Sequence, residues 1–150
     1  MEKITHSNTA TAIHLTSLLQ YFIPFGNFIF PIIIWASSKD QSEYVDEQGK
    51  QVINFQLSLF IYSLILALIA IPVALFTLFS SSSFTLHEDA DFVFENFNFA
   101  EVSGGLIFVA IAIVIFCTMK AAEFFLIIYA ALKTSQKTHF RYPFTINFLK

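Results

Sequence analysis

The sequence predicts an all-α integral membrane protein with three transmembrane helices, on the evidence of its composition, its apolar runs and its lack of strand-type alternation. Of its 150 residues, 56% are hydrophobic and only 13% are charged, and the mean hydropathy is +0.68. A soluble domain usually carries about 25% charged residues. Three apolar runs are each long enough to cross a bilayer, which takes about 20 helical residues. None of them alternates as the strands of a membrane barrel do, and at this length we expect a single domain spanning residues 1–150.

The first predicted helix covers residues 13–36 and is kinked. Pro24 and Pro31 each remove an intrahelical hydrogen bond and clash with the preceding turn. At about 100° per residue, the polar side chains of this segment share the face of the two prolines; they are Ser17, Gln20 and Asn27. This face belongs either to a kinked helix packed on its neighbours or to a discontinuous helix that lines a binding site or pore. The N-terminal residues lack the pattern of a cleaved signal peptide, so we expect this helix in the mature protein.

The second predicted helix covers residues 52–79 and contains no charged residue. A polar stripe begins before it and climbs into it along one face; its members are Glu47, Gln51, Asn54, Ser58 and Tyr62. Such groups either form interhelical hydrogen bonds, worth about 0.6 kcal/mol each, or line a polar path. Both interpretations require that something other than lipid covers the stripe.

The third predicted helix covers residues 102–132 and contains two charged residues, Lys120 and Glu123. Residues three apart on a helix are close enough to form an ion pair. Ionisable groups within a span are costly and usually face protein or water. The pair therefore has either a structural role or a role in conduction or coupling, unless Lys120 simply extends to the membrane surface.

The charges of the connecting segments predict the orientation. The loop 80–101 is acidic and rich in Phe and contains no Lys or Arg, whereas the first loop and the C-terminal tail hold most of the basic residues. With three spans, the positive-inside rule places the N-terminus and loop 80–101 outside and the C-terminus in the cytoplasm of a bacterial inner membrane. The basic and aromatic tail 133–150 is predicted to lie extended on the membrane interface. Expected anchors to the interface are Trp35, Arg141 and Tyr142.

Neither catalysis nor cofactor binding has support in the sequence. The four histidines share no metal-ligand spacing, and no phosphate-binding loop or metalloprotease motif is present. Cys117, the single cysteine, lies in an apolar run, where we expect an inert buried thiol rather than a nucleophile. No basic stripe of a nucleic-acid-binding protein is found in this chain of net charge −3. We therefore expect a non-enzymatic protein without cofactor or metal, whose partners are the lipid bilayer and other membrane subunits or further copies of itself.

Three blocks of sequence resemble a known family. They are HLTSLLQYFIPFGNFIFPIIIW (14–35), YVDEQGKQVINFQLSLFIY (44–62) and RYPFTINF (141–148). The chain resembles the bacterial membrane proteins known as the domain of unknown function 4870 family, which is grouped with Tic-type subunits of the chloroplast translocon. The resemblance implies a three-helix inner-membrane protein that serves protein translocation as an accessory or pore-forming subunit.

Together, these features predict an accessory or scaffold subunit of a larger inner-membrane complex for protein translocation or transport. One alternative is a small self-associating channel or carrier, with a path lined by Asn27, Asn54, Ser58, Lys120 and Glu123. Another is a regulatory or envelope-stress membrane protein whose acidic loop acts as a sensor.

Overall fold

A computed structural model of the chain describes residues 2–81 and 99–150, and every regular element in these ranges is helical. The all-α prediction is thus confirmed for the described residues. The elements are α1 (Glu2–Thr16), a 3-10 turn (Ser17–Tyr21), α2 (Gly26–Ser38), a short 3-10 turn (Lys39–Gln41), α3 (Glu43–Ser81) and α4 (Phe99–Ser135). The prediction for the loop 80–101 falls largely on residues 82–98, which lie outside the described ranges.

The prediction of three membrane-spanning helices is wrong, because two helices of the described chain are long and apolar enough to span. They are Glu43–Phe79, with 37 residues, and Gly104–Ser135, with 32 residues. The apolar run 13–36 is divided between α1, the first 3-10 turn and α2. Pro24 lies in the break, whereas Pro31 lies inside α2 without ending it. The predicted kink at Pro24 is therefore a complete interruption of the helix.

The backbone reverses at this break to form a helical hairpin from α1 and α2. Phe25, which precedes α2, has the left-handed conformation with φ 60° and ψ 13°. Such a φ is uncommon for a bulky side chain and turns the chain sharply. Pro24 has no N–H to donate, so it cannot continue the helical hydrogen-bond ladder through the bend. A run that composition alone marks as one span is thus folded back on itself.

Contacts with α3 and α4 show the direction of each arm of the hairpin. On α1, the Ser7 hydroxyl donates to the Thr134 carbonyl at 2.6 Å, near the end of α4. Beyond α1, Gln20 in the 3-10 turn reaches Glu123, further inside α4. The arm α2 then returns along α3, with contacts from Asn27 to Gln56 and from Trp35 to Asp46. Both ends of the hairpin therefore lie beside the first residues of α3 and the last residues of α4.

The chain divides into two compact units, which are Met1–Ile61 with Met119–Lys150 (unit 1) and Tyr62–Thr118 (unit 2). Unit 1 contains the hairpin, the first part of α3, the last part of α4 and the C-terminal tail. Its core is a cluster of apolar side chains: Ile13, Val45, Val52, Phe55, Ile127, Ala130 and Tyr142. The tail that follows α4 has no regular secondary structure up to Lys150.

Unit 2 contains only the later part of α3 and the earlier part of α4. Gly105 lies so close to Thr77 that a Cβ atom at position 105 would overlap the threonine side chain. Large apolar side chains remain exposed on both segments, among them Phe76 and Phe79. Soluble proteins rarely expose contiguous apolar surface of this kind, whereas lipid covers it without cost. The chain is therefore a membrane protein, and its helices contact the bilayer.

Candidate functional site

A closed ring of three polar side chains joins the hairpin to α4 inside unit 1. The Gln20 amide donates to one carboxylate oxygen of Glu123 at 2.7 Å, and Lys120 Nζ donates to the other oxygen at 2.8 Å. Lys120 Nζ also donates to Gln20 Oε1 at 3.3 Å, which completes the ring. The Glu123 side chain is 1% exposed, but that of Lys120 is 38% exposed. The predicted pairing of Lys120 with Glu123 is present, and Gln20 is the third member.

A second polar contact lies between the start of α2 and α3. The Asn27 amide donates to Gln56 Oε1 at 2.7 Å, and Gln56 is buried. The Gln56 Nε2 atom and the Ser17 hydroxyl are the two buried side-chain polar atoms of the described residues that lack a hydrogen-bond partner. An unpaired buried polar group costs about 1–3 kcal/mol. This region therefore contains one short amide–amide hydrogen bond and two buried polar atoms whose lack of a partner lowers stability.

A buried histidine connects α1, α3 and the C-terminal tail. The two ring nitrogens of His14 lie 2.7 Å from the Tyr142 hydroxyl and 3.2 Å from Gln48 Oε1. Because Gln48 Oε1 can only accept, Nε2 carries the proton and Nδ1 accepts from Tyr142. Burial lowers the pKa of His14 to about 4, although the Gln48 hydrogen bond acts in the opposite direction. Burial also raises the pKa of Tyr142, so both rings are neutral at pH 7.

The polar stripe of α3 binds the chain's own C-terminal tail. Asn54 Oδ1 accepts from the backbone N–H groups of Leu149 at 2.8 Å and Phe148 at 3.1 Å, and Asn54 Nδ2 donates to the Leu149 carbonyl at 3.0 Å. One turn further along, Ser58 Oγ accepts from the Ile146 N–H at 2.8 Å. These four bonds pair backbone groups of the tail with side chains of α3. The predicted stripe residues Asn54 and Ser58 therefore hold a peptide segment.

The remaining predicted residues are more scattered. Gln51 and Arg141 line an open cavity of about 730 Å³ between the start of α3 and the tail. Trp35 donates from Nε1 to Asp46 at 2.9 Å, which joins the end of α2 to the start of α3. Tyr142, predicted to be an interface anchor, is buried in the core of unit 1, and Tyr62 belongs to unit 2.

Sequence reasoning missed three of the polar residues that complete this network. Gln48 and Gln56 lie on α3 outside the predicted stripe, and Thr134 receives the Ser7 hydrogen bond at the end of α4. The occurrence of an amide within an apolar run could have drawn attention to Gln56, but no pattern in the sequence identifies its partner. Within residues 2–81 and 99–150, no three His, Cys, Asp or Glu side chains are grouped closely enough to hold a metal ion.

Comparison with known protein families gives a match that covers nearly the whole chain. Residues 5–149 match the model of the MamF/MmsF family, described as a magnetosome magnetite crystal formation protein family. The chain belongs to this family. No curated protein and no solved structure matches the chain.

Membership of the MamF/MmsF family overturns the functional predictions made from the sequence. The assignment to the domain of unknown function 4870 family and to Tic-type translocon subunits is wrong, since the matching family is a different one. The predicted accessory role in translocation or transport is wrong for the same reason, and so are its channel and envelope-stress alternatives. The error has a physical origin, because hydropathy and amide placement report how a chain packs in a membrane and carry little information about its task.

Proposed function

We propose that this protein takes part in the formation of mineral crystals at a bacterial membrane and that it catalyses no reaction there. The match to the MamF/MmsF family over residues 5–149 supports the first part. The second part is supported by the ring of Gln20, Lys120 and Glu123, in which the buried carboxylate is hydrogen-bonded to the other two side chains. The Glu123 carboxylate is 1% exposed and both of its oxygens accept hydrogen bonds within the chain, so a substrate has no direct access to it.

The proposed orientation follows from the hairpin. Prediction of an external N-terminus depended on three spans, whereas two spans place both ends of the chain on one side. That side then carries seven Lys and Arg residues, and the segment 82–98 between α3 and α4 carries none. The basic residues are Lys3, Lys39, Lys50, Lys133, Lys137, Arg141 and Lys150. By the positive-inside rule, both termini face the cytoplasm, and the membrane is the inner membrane or one derived from it.

Deletion of the gene in the bacterium that carries it tests the proposal. Crystal dimensions are measured by electron microscopy, and total cell iron is measured in the same cultures. We expect altered crystal size or shape at unchanged total iron, with recovery when the gene is restored. A strain restored with Cys117→Ser is a matched control, because this thiol, which was predicted to be buried, is exposed and has no place in the polar network. Unchanged crystals, or a host that forms no mineral, would contradict the proposal.

A further inference from the structure

The bend of the hairpin presents apolar side chains outward. Tyr21, Phe22, Ile23 and Phe25 are all exposed, with Phe22 at 84% and Phe25 at 66%. Ile29 and Ile33 continue this surface along α2. Water is an unfavourable environment for a cluster of this size, whereas acyl chains are not. The bend is therefore a surface that is suited to contact with acyl chains.

The contacts along α4 give the depth that the bend reaches. Ser7 lies beside Thr134, at the end of the α4 span, and Gln20 lies beside Glu123. The helix rises by 1.5 Å per residue, so Glu123 is about 18 Å from Ser135 along α4. The hydrocarbon core of a bilayer is about 30 Å thick. A hairpin that follows α4 for about 18 Å before it turns back therefore does not cross this core.

The bend is held at this depth by polar contacts on both arms. Gln20 belongs to the ring with Lys120 and Glu123, and Asn27 donates to Gln56 on α3. In hydrocarbon these groups have no water to replace a lost partner, which favours the closed arrangement. Polar contacts to α4 and α3 thus fix the position of the bend on both sides.

From this geometry we propose that the hairpin is a re-entrant insertion in one leaflet and that it makes the protein prefer membranes that are convex on the side of its termini. Its partner is the acyl-chain region of that leaflet. Insertion into one leaflet expands that leaflet alone, and binding of this kind depends on curvature. The inference goes beyond crystal formation and does not depend on it, because its test uses lipid and protein without mineral.

Depth is tested first, with the full chain in liposomes. Cys117→Ser removes the native thiol, and Phe22→Cys then carries a fluorophore at the bend. Lipids brominated midway along the acyl chain should quench this fluorophore more strongly than lipids brominated near the headgroup. Strongest quenching near the headgroup, or no quenching because protein covers the site, would overturn the proposal.

Curvature preference is tested on narrow tubes drawn from giant vesicles. Gln136→Cys in the Cys117→Ser background is labelled with a membrane-impermeant dye, so that only molecules with their termini outside are visible. We expect these molecules to be enriched on the tube relative to the flat membrane by about twofold or more. Equal densities on the tube and on the flat membrane would overturn the proposal.

Matched double variants assign the effect to the bend. Phe22→Ser/Phe25→Ser should lose most of the enrichment, whereas Phe76→Ser/Phe79→Ser should keep it. The second pair is equally exposed, at 75% and 73%, but lies in unit 2 on α3. An equal loss in both variants would show that general hydrophobicity is responsible, and the one-leaflet proposal would fail. If the first variant does not fold, the bromine quenching and the enrichment of the unmodified bend still decide the question.

Discussion

Gln20 and Glu123 are 103 residues apart in the chain, yet the amide of the first donates a 2.7 Å hydrogen bond to the carboxylate of the second. This contact joins the bend of the hairpin to the interior of α4. It explains why an apolar run that is long enough to span a bilayer does not do so, because the polar groups of the run find their partners on neighbouring helices. Lys120 then balances the charge of Glu123.

Removal of either charge from the ring should destabilise the protein, but by different amounts. Lys120→Met leaves the buried Glu123 carboxylate without a counter-ion and should cost about 3–5 kcal/mol. Glu123→Gln keeps an amide oxygen that can still accept from Lys120, whose side chain is partly exposed, and should cost about 1–3 kcal/mol. Both values are measured by unfolding in detergent micelles. The double variant should recover part of the loss, and a greater cost for Glu123→Gln than for Lys120→Met would contradict this account.

The pairing of Lys120 with Glu123 was accessible from the sequence because it depends only on spacing within one helix. The common face of Ser17, Gln20 and Asn27 was accessible as well, since it follows from helical periodicity. The position at which the first helix ends could not be predicted from the sequence, because a proline in an apolar run is compatible with a kink or with a break. Phe25 gave no further signal, since phenylalanine does not favour left-handed backbone. The number of spans depended on this one distinction.

The partners of the α3 stripe were beyond sequence reasoning for a different reason. Asn54 and Ser58 were expected to face another helix or water, but they bind a tail that lies about ninety residues further along the chain. Hydrogen-bonding capacity can be read from residue type, whereas the identity of a distant partner depends on the whole fold. Function was less accessible still, as the family match shows.

The stability of unit 1 should fall in mildly acidic solution because of His14. Its pKa is lowered from 6.5 to about 4, so the unfolded chain binds a proton more readily than the folded protein. The contribution of neutral His14 is therefore present in full above pH 6.5 and is lost as the pH falls toward 4, with a total of roughly 3 kcal/mol. Unfolding in detergent at a series of pH values measures the slope of the free energy of unfolding against pH. His14→Gln keeps an amide that can bond Tyr142 and Gln48, and it should reduce the slope; an unchanged slope would assign the effect to other groups.

Loss of Asn54 should release the C-terminal tail. Asn54→Ala removes three hydrogen bonds to Phe148 and Leu149, at about 1 kcal/mol each. We expect faster tryptic cleavage after Arg141, followed by mass spectrometry of the released peptide. Gln51→Ala is the control, because Gln51 lies one turn earlier on α3 and is only partly buried. Equal cleavage rates in the two variants would show that the tail is held by its apolar contacts instead.

Because the backbone at Phe25 is left-handed, replacement of this residue by glycine should cost less stability than replacement by alanine. A left-handed conformation costs about 1–2 kcal/mol for a residue with a Cβ, and glycine avoids this cost. Phe25→Gly should therefore be more stable than Phe25→Ala by about 1 kcal/mol, although both lose the same ring. At Phe22, where φ is −114°, the corresponding pair should show no advantage for glycine. A glycine advantage of similar size at both positions would argue against the bend described for Phe25.

The close approach of Trp35 to Gly49 should make this glycine intolerant of any side chain. A Cβ atom at position 49 would overlap the indole ring, so Gly49→Ala should displace Trp35 and weaken its hydrogen bond to Asp46. Overpacking of this kind costs about 1–3 kcal/mol. Because Trp35 is the only tryptophan of the chain, its fluorescence reports the displacement directly, and a shift of the emission maximum is expected.

Gly104→Ala is the matched control, since nothing lies within 4 Å of a Cβ atom there. That control should leave the emission unchanged and gain up to about 1 kcal/mol of helix propensity. An identical spectrum for Gly49→Ala and the unmodified protein would show that the indole does not rest on Gly49.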